Sequence, residues 1–148
     1  MASTYLSLHY HLVFGTKNRE PIMDGAWRAR LHDYLGGTIH GLGGVATEVG
    51  GVADHVHLLV SLRATHNLSD VVRELKKASS VWVHQEIGMR SFAWQEGYAA
   101  FTISATSCDA VQKYVRNQQE HHRHRSFREE VQEMLIKAGV GFDPRYLE

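Results

Sequence analysis

The sequence predicts an α+β fold, a ferredoxin-like β-α-β-β-α-β antiparallel sheet with two helices on one face, followed by further C-terminal helices. Three observations predict it. Segments of two-residue apolar alternation and segments of helical spacing follow one another in that order. Glycine clusters and turn residues separate them. The length, 148 residues, suits one domain with a C-terminal helical extension over 125–148, and such a chain buries roughly 70% of the surface its unfolded form exposes.

Each element has its own signal. From Tyr5 to Thr16, Leu6, Leu8, Tyr10, Leu12 and Phe14 alternate with Ser7, His9 and His11, which predicts a strand with one buried face. Lys17-Asn18-Arg19-Glu20-Pro21 ends it with turn chemistry. Trp27, Leu31, Tyr34, Leu35 and Ile39 fall at helical spacing in a helix from Trp27 to Leu42, stopped by Gly41, Gly43 and Gly44. Val45–Val52 reads as a short strand and His55–Leu62 as a strong one. Leu68, Val71, Val72, Leu75, Ser79 and Trp82 mark a second helix that ends near Gly88. Tyr98–Thr106 is β-prone. Thr106 and Asp109 are placed like a capping box for the next helix, on which Val111, Val115 and Gln118 lie about one turn apart. A last helix spans Phe127–Ala138 and stops at Gly139. In this arrangement the sheet face opposite the first two helices is free for a site.

Composition narrows the function. With 43% hydrophobic and 22% charged residues, global disorder is excluded. No uncharged apolar run approaches the ~20 residues of a membrane-spanning helix. His9 and His11 interrupt the N-terminal apolar residues and no basic segment precedes them, so no signal peptide is expected. The single cysteine, Cys108, cannot form an internal disulfide, and a cytoplasmic location is expected. The 16 Lys+Arg balance 16 Asp+Glu, yet Lys113–Arg128 carries +4 and Glu129–Glu148 carries −3. A chain polarised in this way can present a basic face to a polyanion while its overall charge is zero.

Two constellations can carry chemistry. In Asp54-His55-Val56-His57-Leu58-Leu59-Val60, the two histidines project from one face of a strand and can begin a divalent metal site, with Asp54 placed to orient one of them. The same spacing also suits two polar residues on the solvated side of a strand. In Tyr114-Val115-Arg116-Asn117-Gln118, Tyr114 and Gln118 share a helix face at i, i+4. Tyr114 can be a nucleophile if a metal polarises its electrophile, or simply an aromatic at the edge of a core. A basic stripe of Arg73, Lys76, Lys77, Ser80 and His84 on the second helix, with Lys17 and Arg19 in the first turn, suits phosphate contacts or plain solvation. The run His121, His122 and His124 can bind a metal, but reads more simply as a solvated basic helix end. His9 and His11 repeat the His-x-His spacing on the first strand and read as support for a site or as contacts to a polyanion rather than as ligands of a second metal.

Four ordered blocks resemble the single-tyrosine HUH transposases of the insertion-sequence 200/605 type, over nearly the whole chain. They are His9-Tyr10-His11-Leu12-Val13-Phe14-Gly15-Thr16-Lys17-Asn18-Arg19, Asp54-His55-Val56-His57-Leu58-Leu59-Val60, Trp94-Gln95-Glu96-Gly97-Tyr98 and Tyr114-Val115-Arg116-Asn117-Gln118-Gln119-Glu120-His121-His122. One departure is Ala53, where many relatives carry proline. The resemblance implies that His55, His57 and Gln118 bind a divalent metal, Mg²⁺ or Mn²⁺. It implies that Tyr114, on the late helices, is the nucleophile. Single-stranded DNA with hairpin ends would be cut and rejoined through a 5′-phosphotyrosine link. A homodimer whose sites are completed in trans is also implied. Lys17, Arg19, Arg73, Lys76, Lys77 and Arg116 are the candidate DNA contacts. Rival readings are a domesticated relative that processes dispersed palindromic repeats, a non-catalytic DNA-binding protein of the same fold, and a metal-dependent hydrolase in which Tyr114 is structural.

Overall fold

The computed structural model describes residues 3–147. Its sheet contains β1 (His9–Gly15), β2 (Val45–Gly51), β3 (His55–Ser61) and β4 (Ala99–Ile103), in the order β2-β3-β1-β4, with every neighbouring pair antiparallel. The helices are α1 (Gly25–Gly41), α2 (Leu68–Trp82), α3 (Cys108–Arg116), the short α4 (Gln118–His121) and α5 (Phe127–Ala138). This is the expected ferredoxin-like sheet with added C-terminal helices.

Strand alternation divides the sheet into two faces. Leu12 and Phe14 of β1 and Val56, Leu58 and Val60 of β3 enter the main core, where they meet Leu31, Leu35 and Ile39 of α1 and Val71, Val72 and Leu75 of α2. His11, Val13, His55 and His57 take the opposite parity and so face the other way. That second face is not free: α3 and α4 pack on it, and a smaller cluster of Val13, Phe127 and Val131 docks α5 there.

Boundaries differ from expectation by a few residues at several elements; the fourth strand is confined to Ala99–Ile103, and the helix expected to carry both Val111 and Gln118 breaks at Asn117, so Gln118 opens α4. β1 begins at His9 rather than Tyr5, because both of its neighbours run out there: His9 pairs with Ser61 of β3 and Ile103 of β4. Tyr5 and Leu6 are left exposed. The capping box expected from Thr106 and Asp109 does not form. A 3₁₀ turn over Ala105–Ser107 runs directly into α3, so backbone carbonyls of Ser104 and Ala105 receive the N–H groups of Ser107 and Cys108, and no side chain caps the helix. At α5 the expected and observed bounds coincide: the Ser126 side chain accepts from the Glu129 N–H, and Gly139 closes the helix at φ 72°.

Candidate active site

β3 fixes the site. In its register His55 lies opposite Gly15 and His57 opposite Val13, so both imidazoles emerge from the middle of the sheet rather than an edge. They are fully buried beneath α3, α4 and α5, and are therefore not polar residues on a solvated strand face. Burying two imidazoles costs free energy unless their nitrogens find partners, and every nitrogen has one. His55 Nδ1 is 2.7 Å from Asp54 Oδ1, and His57 Nδ1 is 2.7 Å from His11 Nε2. The Nε2 atoms of both rings turn toward the late helices.

There they meet the other constellation. Gln118 is buried, and its Oε1 lies 3.0 Å from His55 Nε2. The Tyr114 hydroxyl lies beside the same centre, its ring 5.7 Å from that of His57, and donates a hydrogen bond to Glu130 Oε2. Both groups belong to the chain that supplies the histidines, so a single chain brings together all four residues singled out from the sequence.

Glu130, on α5, is the hub. Its Oε1 lies 3.0 Å from His57 Nε2, 3.1 Å from His122 Nε2 and 3.5 Å from His55 Nε2, while Oε2 accepts from Gln118 Nε2 at 3.0 Å as well as from the phenol. Phe127, one helical turn earlier, stacks on the His55 ring at 4.1 Å. His55, His57, His122 and Glu130 each offer one donor atom within 4.8 Å of the others. Imidazole nitrogens with carboxylate and amide oxygens form a donor set that suits a divalent cation.

The electrostatics follow from this packing. Burial pushes His57 down to about 4 and, together with its neighbour His57, pushes His11 down to about 3, so both stay neutral near pH 7. Burial also opposes charge on His55, but hydrogen bonds from Asp54, Glu130 and Gln118 outweigh it and raise the group. Burial would raise Glu130, yet its bonds to His122, His55 and His57 hold it well below the usual carboxylate range. The Tyr114 phenol is driven above its ordinary value by burial and by the Glu130 carboxylate. In this arrangement it is a protonated donor.

The candidate DNA contacts are dispersed. Lys76 is spent within the protein, with Nζ donating to the carbonyls of Gln95, Glu96 and Gly97. Arg116 is paired with Glu48 at 3.0 Å and Arg73 with Asp70 at 2.9 Å. Lys77 is exposed and lines a groove of about 580 Å³ with Arg73, Ser80, His84 and Tyr98. Arg19 is half-buried, whereas Lys17 is exposed and lines a larger cavity of about 1120 Å³ with Trp94, Tyr98, Phe101, Phe127 and Val131, next to the histidines.

Glu130 was not foreseen from the sequence, and for His122 a solvated helix end was the simpler reading beside a metal ligand. The signal for Glu130 was present: it falls at i+3 from Phe127 and beside Val131, a carboxylate on an otherwise apolar helix face. The histidine run divides instead of acting together. His122 joins the cluster, His121 lies against the Tyr114 ring at 4.5 Å, and His124 is exposed.

Comparison with known proteins gives consistent likenesses. The family described as "Transposase IS200 like" matches residues 4–118. The chain is 29% identical over 119 residues to the ISDra2 transposase TnpA of Deinococcus radiodurans, spanning 75% of this chain and 84% of that protein. It is 25% identical over 126 residues to the transposase for insertion sequence element IS200 of Salmonella typhimurium, spanning 81% and 82%. Among solved structures, one from Deinococcus radiodurans R1, described as a candidate transposase, superposes with a TM-score of 0.63 at 25% identity, covering 80% of this chain and 96% of that one. A REP-associated tyrosine transposase bound to a REP hairpin shares the fold, with a TM-score of 0.55 at 14% identity over 78% of this chain and 70% of that one. Among the described residues, no helix is long and apolar enough to cross a membrane.

Proposed function

This chain belongs to the IS200-like transposase family, and on that premise we propose that it cuts and rejoins single-stranded DNA through a covalent link to Tyr114. One observation carries the reading: the Tyr114 phenol, the Gln118 amide and the His55–His57 pair meet around one carboxylate in a buried centre of a single chain.

The residues divide the work as follows. His55, His57 and Gln118 hold a divalent cation, which supplies Lewis-acid polarisation of the scissile phosphate when bound. Asp54 and His11 fix the orientation of the two imidazoles through their Nδ1 atoms. Tyr114 Oη attacks phosphorus, the P–O3′ bond breaks, and the leaving strand keeps a 3′-OH. Glu130 Oε2 holds the phenol by accepting its hydrogen bond, and the proton the phenol loses as it attacks is balanced by the one the departing 3′ oxygen takes up. A 3′-OH attacking the phosphotyrosine reverses the step, so strands are rejoined without an external energy source.

The substrate is single-stranded DNA with hairpin-bearing ends. The cavity that joins Lys17 to Trp94, Tyr98 and Phe101 suits nucleotides, since aromatic rings stack bases and an ammonium tracks phosphate. The close approach of Tyr114 to its own chain's histidines supports cleavage within one chain. A homodimer that exchanged the tyrosine helix would make the same contacts between two chains.

The test is an adduct assay. Single-stranded oligonucleotides from the flanks of the encoding gene are incubated with the protein and Mn²⁺ and then resolved under denaturing conditions. A covalent protein–DNA band is expected, absent in Tyr114→Phe, whose binding to the same oligonucleotide stays close to wild type. Cleavage by Tyr114→Phe overturns the tyrosine mechanism.

A further inference from the structure

Of the groups around the histidines, two lie beyond residue 118, where the family match over 4–118 ends: His122, in the turn after α4, and Glu130, on α5. We propose that both are metal ligands, and that they make this centre a three-imidazole site for a first-row transition ion rather than Mg²⁺. The inference rests on the metal reading above and extends it to residues and to an ion class.

The hydrogen-bond directions carry the argument. His122 Nδ1 lies 2.7 Å from the Arg125 carbonyl oxygen, which can only accept, so Nδ1 carries a proton there. His55 Nδ1 likewise donates to the Asp54 carboxylate. His57 is held at Nδ1 by His11. Each ring is thus anchored from outside through Nδ1 and presents Nε2 inward, the arrangement that orients metal-bound histidines.

What the three Nε2 atoms face is acceptors. Glu130 Oε1 is 3.0–3.5 Å from all three, and Gln118 Oε1 is 3.0 Å from those of His55 and His122. Acceptors facing three Nε2 atoms at such distances in a buried centre need protons or a cation between them, and one divalent cation can serve all of them together. These N–O separations fit one: neighbouring donors bound at ~2.0–2.1 Å to one ion stand about 3 Å apart. Glu130 Oε2 points away from this centre toward Tyr114 and Gln118 Nε2, so one carboxylate can ligate with one oxygen and hold the phenol with the other.

The donor chemistry selects the ion. Mg²⁺ takes oxygen ligands and keeps much of its water, whereas imidazole suits the later first-row ions. Three nitrogens with two oxygens favour the second class.

The experiment uses full-length protein stripped of metal with a chelator and titrated with Co²⁺. Visible absorption reports the coordination, and competition with Zn²⁺ and Mg²⁺ reports the affinity. One Co²⁺ per chain is expected, displaced by Zn²⁺ but not by a large excess of Mg²⁺. Glu130→Gln and His122→Ala are each expected to weaken Co²⁺ binding at least about tenfold and to alter its spectrum, since even outer partners of a metal site cost that much. Unchanged affinity and spectrum in both folded variants overturn the proposal, as does displacement by Mg²⁺. If one variant fails to fold, the other and the Mg²⁺ competition decide. Wild-type protein that binds no divalent ion overturns the metal reading as a whole, whereas the adduct assay tests the tyrosine separately.

Discussion

Gly50 of β2 lies directly against the carbonyl of Val115: a Cβ on Gly50 would stand 2.0 Å from that oxygen. Val115 is fully buried and adjoins Tyr114 in sequence, so this contact sets how closely the tyrosine helix rides over the sheet. Glu48, two residues earlier, ties down the same helix through Gln112 and Arg116.

Gly50→Ala must therefore lift α3 from β2 and carry the phenol away from Glu130. Overpacking of this kind costs about 1–3 kcal/mol. A lower Tm and a slower rise of the DNA adduct are expected together. Wild-type values for both in the variant would contradict this seating of α3.

Lys76 separates two meanings of a basic stripe. Its three donors reach the carbonyls of Gln95, Glu96 and Gly97 at 2.9, 3.1 and 2.7 Å, and the Gln95 side chain in turn accepts from the Gly15 N–H at 2.7 Å. Lys76→Met should destabilise the fold by roughly 1–3 kcal/mol, because three carbonyls lose a charged donor. It should leave the salt dependence of DNA binding unchanged. Lys77→Ala should do the reverse, holding Tm and lowering the slope of log K against log salt by about 1. An equal loss of slope in both variants would show that Lys76 leaves its carbonyls to meet phosphate.

Acid should loosen the protein before carboxylates are titrated. His32 on α1 has a buried Nε2 with no partner among the described residues, and burial, reinforced by Arg28, pushes the group down to about 4. An unfolded chain protonates this histidine near 6.5 and the folded one only near 4, so between those values the unfolded state binds more protons. Its contribution is fully present above pH 6.5 and is lost as pH falls toward 4. His57 and His11 act with the same sign. Calorimetric Tm should fall across this window, and His32→Leu should flatten the fall by roughly 3–6 °C. A variant as acid-sensitive as the wild type would show that His32 is not desolvated in the fold.

The parts of the molecule legible from the sequence were those set by a local period. Alternation along β1 and β3 assigned Leu12, Phe14, Val56, Leu58 and Val60 to one face and the histidines to the other. Spacing along α3 and α4 put Tyr114 and Gln118 together. Ser126 and Gly139 marked both ends of α5. Contacts that depend on how one helix docks on a sheet were not legible in that way. Glu130 is one residue of a helix whose neighbours read as packing, and nothing within α5 says that its apolar side meets imidazoles. His122 read as a surface cation for the same reason, since the turn that directs its ring inward is set by the Arg125 carbonyl and by the descent into α5. The start of β1 was misplaced because pairing partners, not its own alternation, decide where a strand begins.

The family match ends at residue 118, while Glu130 touches every group that would do chemistry. The phenol and the carboxylate that holds it therefore come from different stretches of one polypeptide, and a substitution in the final thirty residues can reset the phenol without touching the strand that carries the imidazoles.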